Sequence, residues 1–162
     1  MAIREIMKHP CQDLVLRGKA RPVGKVNGEI LSLMQDMADS MYFSSGVGLA
    51  APQIGVLKRV VIVDVGDGLI KLVNPVILEA EGEQWDSEGC LSIPGIYGRV
   101  KRPEKVVVQA INEYGQRIEV AVAGLTARAF CHEIDHLEGI LFIDKIVPEN
   151  ESCVPESGGE GR

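Results

Sequence analysis

The sequence predicts an α+β fold: antiparallel β-sheets surrounding a buried central helix that carries His-Glu-x-x-His, with an amphipathic helix near the N-terminus. Three observations predict it. Arg59-Val60-Val61-Ile62-Val63-Asp64-Val65 is a near-continuous β-branched run and reads as a buried strand. Residues 105–111 and 117–122 form a hairpin around Asn112-Glu113-Tyr114-Gly115. There Ile118, Val120 and Val122 alternate with Arg117, Glu119 and Ala121 to give one buried face. Residues 126–138 are helical and apolar on two sides, with Phe130, Ile134 and Leu137 on one and Leu125, Ala129, His132 and His136 on the other. That is the pattern of a buried helix and not of a surface one.

The remaining elements follow in chain order. Residues 9–22 read as an irregular lead-in, and His9 as a surface or locally hydrogen-bonded histidine. Asn27 can cap a helix that Glu29 favours electrostatically; Ile30, Leu33, Met34, Met37 and Met41 then repeat at helical spacing over residues 28–42. Residues 46–55 contain Gly-x-Gly-x-x-Ala, but a dinucleotide loop needs a strand before it and a helix after it. Here a helix precedes, Pro52 interrupts and a strand follows. The stretch reads instead as a Gly-rich loop with its backbone open to a ligand around Gln53. After the buried strand, Gly66-Asp67-Gly68 turns the chain, and residues 69–73 and 76–79 read as two strands separated by Asn74-Pro75. Trp85 suits either core or loop cover. Cys90, between Gly89 and Leu91 and shortly before Pro94-Gly95, reads as lying at a strand end or turn; taken alone it is a small buried thiol. Gly139 suits a left-handed helix stop, and residues 140–146 an extended segment. Residues 149–162 are polar and Gly-rich, a tail expected to be mobile, which leaves residues 1–148 as a single catalytic domain.

At 162 residues the chain suits one domain with a real core. Its net charge of −6, with no basic run, excludes phosphate-driven nucleic-acid binding. No apolar segment is long enough to span a membrane, and the N-terminus has no signal-peptide core. The four cysteines show no Cys-x-x-Cys pairing, which points to a reducing cytoplasm.

The chemistry concentrates at His132-Glu133-Ile134-Asp135-His136. Residues four apart share a helix face, so both imidazoles can reach one divalent cation while Glu133 points toward a water on it. The same pentapeptide also arises in ordinary amphipathic helices. The metal reading gains because two of only three histidines lie here. Ligand softness alone leans toward Zn²⁺.

Three stretches together resemble the peptide deformylase family: Gly46-Val47-Gly48-Leu49-Ala50-Ala51-Pro52-Gln53, Glu88-Gly89-Cys90-Leu91-Ser92 and the His132–His136 pentapeptide, all complete and in the family's order. The resemblance runs to about Ile146. It implies that Cys90, His132 and His136 hold one divalent metal ion, Fe²⁺ with Zn²⁺, Ni²⁺ or Co²⁺ as substitutes. It implies Glu133 as general acid/base, Gln53 and the Leu91 backbone N–H as oxyanion donors, and Gly48 as a backbone contact to the substrate. The implied activity removes the N-formyl group from the N-terminal methionine of newly synthesised polypeptides, with a metal-bound hydroxide attacking the formyl carbon. Val47, Leu125 and Ala129 are candidates to line the methionine pocket. Asp135 and Glu88 either orient ligands or form ordinary salt bridges. Two departures stand out. Cys131 occupies a position that is often Gln in the family and, pointing about 100° from His132, reads as packing. Some members add a C-terminal helix that contacts the ribosome; residues 149–162 have no such pattern, which leaves the ribosome an open partner. The competing functions are another His-Glu-x-x-His hydrolase, such as a peptidase, and a non-catalytic metal-binding relative. The peptidase would usually take a third ligand downstream, and no histidine follows His136.

Overall fold

A computed structural model describes residues 2–148; the tail read as mobile, 149–162, lies outside the described residues. A one-turn helix α1 (Asp13–Leu16) interrupts the lead-in that the sequence suggested was irregular, and His9 Nδ1 pairs locally with Asp13 Oδ1 at 2.9 Å. Helix α2 (Gly28–Phe43) starts where Asn27 Oδ1 accepts the Ile30 N–H, and it buries Ile30, Leu33, Met34, Met37 and Met41 as its spacing requires.

Five strands form one antiparallel sheet, in the order β1 (Gly48–Ala50), β2 (Val60–Val63), β3 (Ile70–Glu81), β6 (Lys105–Ile111) and β7 (Arg117–Ala123). A two-stranded sheet pairs β4 (Gln84–Cys90) with β5 (Ile93–Arg102). Helix α3 (Gly124–Leu137) contacts β1, β2 and β7 of the larger sheet and β5 of the smaller. Strand β2 explains its own continuous hydrophobicity. Val60 and Ile62 face a core shared with α2, while Val61 and Val63 face a core shared with Phe130, Ile134 and Leu137 of α3. A strand covered on both faces has no polar side to show.

Three further local expectations are revised. The glycine-rich stretch is not wholly loop: residues 48–50 pair with Val61–Val63 as β1, and Ala51–Ile54 form a 3₁₀ turn. The two strands expected on either side of Asn74-Pro75 are one strand, because a register shift there, with Asn74 at φ 53°, absorbs the proline without ending β3. Residues 140–146 are not simply extended: Phe142–Asp144 form a 3₁₀ turn before Ile146 bridges Val100. Trp85 is half-buried on β4, with the Arg99 and Lys101 cations about 6 Å from its ring. Gly139 stops α3 at φ 76°, and a Cβ there would collide with the Arg17 carbonyl. Among the described residues no helix is long and apolar enough to cross a membrane.

Candidate metal centre

Cys90 closes β4, where the pairing shifts from Glu88↔Gly98 to Cys90↔Ile93. Glu88 and Cys90, two apart on the strand, both reach α3. Cys90 Sγ lies 3.4 Å from His136 Nε2, and one donor atom from each of Cys90, His132 and His136 lies within 4.8 Å of the others. Donors about 2.0–2.3 Å from a tetrahedral ion sit roughly 3.3–3.8 Å apart, so this cluster fits one ion with modest closure. His136 is fully buried and its Nδ1 has no hydrogen-bond partner among the described residues. Burial, with His132 nearby, holds its pKa well below the usual histidine value, which keeps the ring neutral and able to ligate.

His132 is oriented from behind. Its Nδ1 lies 2.9 Å from Glu88 Oε1, so a neutral ring donates there and turns Nε2 to the cluster. Glu88 is itself buried between two guanidinium groups: Arg102 donates from Nε at 2.8 Å and Nη2 at 2.9 Å, and Arg128 from Nη1 at 2.5 Å. Burial alone would raise the Glu88 pKa; the bonds from Arg102 and His132 outweigh it and hold the carboxyl far below the usual range. Arg102 continues to Asp135 Oδ2 at 2.8 Å, which Lys145 also meets at 3.0 Å. Of the two carboxylates singled out in the sequence, Glu88 touches a histidine and Asp135 forms salt bridges. In the metal-free chain burial works against a charged His132, but Cys90 and Glu88 offset this and raise its pKa to about 10. A metal ion held by His132 would replace that proton.

Glu133 is 5 % exposed, and its Oε1 has no hydrogen-bond partner among the described residues. Burial pushes its carboxyl up to about 7, a value at which it can both take and return a proton. Gln53 is held by its carbonyl: Oε1 accepts the Ala50 N–H at 2.9 Å. Its amide N–H₂ therefore faces Ser92 Oγ at 3.2 Å and Cys90 Sγ at 3.5 Å. A cavity of about 470 Å³ opens over the cluster. Val47, Gly48, Gln53, Cys90, Leu91, Leu125, Ala129, His132 and Glu133 all line it, and His136 lies behind the wall. Val47 and Leu125 are exposed at the rim while Ala129 is buried. Cys131 points into the apolar core. Sequence reasoning missed Ser92, Arg102 and Arg128. Arg128 carried a signal: an arginine on a helix buried all round requires a carboxylate partner.

A buried His-Glu-x-x-His helix inside antiparallel sheets, with a strand-end thiol beside both imidazoles, has the donor set of a single-metal hydrolase. Comparison with known proteins narrows the class. The family model for polypeptide deformylase matches residues 3–152. The peptide deformylase of Caldanaerobacter subterraneus subsp. tengcongensis is 54% identical over 147 residues, 91% of each chain. That of Alkaliphilus metalliredigens is 52% identical over 149 residues, 92% of this chain and 100% of its own. The crystal structure of peptide deformylase from Thermotoga maritima superposes with a TM-score of 0.88 at 39% identity, covering 91% of this chain and 100% of that one. The enzyme from Synechococcus elongatus in complex with actinonin gives 0.86 at 37% identity, covering 91% and 80%. The chain belongs to the polypeptide deformylase family.

Proposed function

We propose that this protein removes the formyl group from the N-terminal methionine of newly made polypeptides in the cytoplasm, releasing formate and a free amine. The observation that carries the proposal is the convergence of the Cys90 sulfur with two imidazoles at a cavity lined by Cys90, His132, Glu133 and Gln53, with His136 just behind its wall. Cys90, His132 and His136 would hold one divalent ion, Fe²⁺, with Zn²⁺, Ni²⁺ or Co²⁺ as substitutes. Such an ion, when bound, lowers the pKa of water and polarises a carbonyl.

The chain's own residues supply the rest. Glu133 takes the water's proton and delivers it to the leaving amine. The Gln53 amide and the Leu91 backbone N–H meet the charge that develops on the formyl oxygen; losing one such donor raises the barrier by about 3 kcal/mol. Strand β1 is a sheet edge, so the Gly48 backbone is available to the substrate's main chain. Val47, Leu125 and Ala129 receive the methionine side chain, and Glu88 holds His132 in its ligating tautomer.

Formate release from formyl-Met-Ala is the test. Glu133→Ala retains the metal and loses turnover. Unchanged formate release in that variant removes Glu133 from the mechanism, and cleavage of internal peptide bonds without formate identifies a peptidase instead.

A further inference from the structure

The two glycines before Gln53 each stand against a different neighbour. A Cβ on Gly46 would come 2.8 Å from Leu91 Cδ1. One on Gly48 would come 2.7 Å from Glu133 Oε2, 3.0 Å from its Cγ and 3.1 Å from its Cδ. These distances fall well inside the ~3.5–4 Å at which non-bonded heavy atoms rest. Neither glycine has a positive φ, so the backbone alone would accept a side chain at both positions. The demand for glycine comes from what lies opposite.

At position 48 that neighbour is the proton carrier. Glu133 Oε1 makes no hydrogen bond among the described residues, so packing rather than a bonding partner holds that side of the carboxylate. The groups crowded by a Cβ on Gly48 are the outer atoms of the Glu133 side chain. A methyl on β1 is therefore accommodated by swinging the Glu133 side chain about its inner torsions, which carries the carboxylate with it while β1 stays paired to β2.

We propose that Gly48 is a positioning residue for Glu133: its missing side chain is the space in which the carboxylate stands beside the metal-binding cluster. The inference rests on Glu133 as the proton carrier and goes beyond any use of the Gly48 backbone by substrate. A side chain projects from the face of a sheet and the hydrogen-bonding edge lies in its plane, so a methyl that crowds Glu133 leaves that edge open.

Kinetics on the metal-loaded enzyme with formyl-Met-Ala test this. Gly48→Ala retains the metal and lowers kcat about 100-fold, the size expected for a displacement of about 1 Å at a reacting group. Its KM stays within about threefold, because ground-state binding is untouched. Glu133→Ala removes all three crowded atoms, so adding Gly48→Ala to that variant lowers its residual kcat by less than about threefold, a non-additive cycle. An equal loss in both backgrounds, a wild-type kcat in Gly48→Ala, or a raised KM with kcat intact overturns the proposal. Thermal unfolding gives a reading that needs no activity. Gly48→Ala lowers Tm in the wild-type background and leaves it unchanged in Glu133→Ala; equal lowering in both overturns the proposal as well. Full turnover by Glu133→Ala alone would instead overturn the role given to Glu133.

Discussion

The five-stranded sheet meets α3 through apolar side chains, with Val61, Val63, Leu72, Val106 and Val108 gathered against Phe130, Ile134 and Leu137. The β4–β5 hairpin meets the same helix through charge. Glu88 and Arg102 come from the strands, Arg128 and Asp135 from the helix, and both side chains of the Arg102–Glu88 pair are under 5 % exposed. The first contact is non-directional and tolerates small shifts. The second has hydrogen bonds at 2.5–2.9 Å that fix orientation as well as distance. The directional contact is the one that aims His132 and sets Cys90 beside His136. Apolar burial holds the helix in place; the ionic cluster sets the angle of a ring.

Four measurements break or sharpen this comparison. Phe130→Ala, at a fully buried position, lowers unfolding free energy by about 4 kcal/mol, and chemical denaturation gives nearly the same loss from pH 4 to 8. Arg102→Met lowers it by about 3 kcal/mol, toward the small end for a broken buried pair because Arg128 and Lys145 remain on the two carboxylates. That loss depends on pH. The Glu88 carboxyl is depressed in the folded chain, so its stabilising contribution is complete above the ordinary carboxylate range and fades as pH falls toward the folded value. The penalty for Arg102→Met in chelator-treated protein therefore shrinks below about pH 4, near the unfolded carboxylate value. Identical pH profiles for the two variants would erase the distinction between the regions. Ala129→Phe fills the cavity from the apolar side and raises KM for formyl-Met substrates about tenfold, leaving metal content unchanged; an unaltered KM would take Ala129 out of the pocket. Asn27→Ala, remote from both regions, costs about 1 kcal/mol as a lost helix cap, read as a lower Tm with kcat unchanged.

The same division decided what the sequence made legible. Helix α2 and the β6–β7 hairpin bury one face at a fixed period, while β2 and α3 are apolar on both sides; both patterns are visible in the residue order. Strands β4 and β5 have neither. Gln84-Trp85-Asp86-Ser87-Glu88-Gly89-Cys90 is polar, and Pro94, Gly95 and Gly98 break the run that follows. Their pairing depends on contacts with residues up to 44 positions away, such as Glu88 with His132. The donors at the centre were found from spacing on the helix plus the family likeness. The cysteine came from the likeness alone, since nothing near Cys90 in the chain distinguishes a ligand from a packed thiol.

Cys90 and His136 stand 46 residues apart in the chain, and they belong to different elements, strand β4 and helix α3. An ion held by all three donors would therefore staple the strand to the helix. It binds only the completed arrangement and shifts the equilibrium toward it by mass action. A ribosome-bound chain that has not yet emerged past His136 carries an incomplete set of donors. Metal uptake by the proposed centre would thus come late, once the last of its three donors is in place.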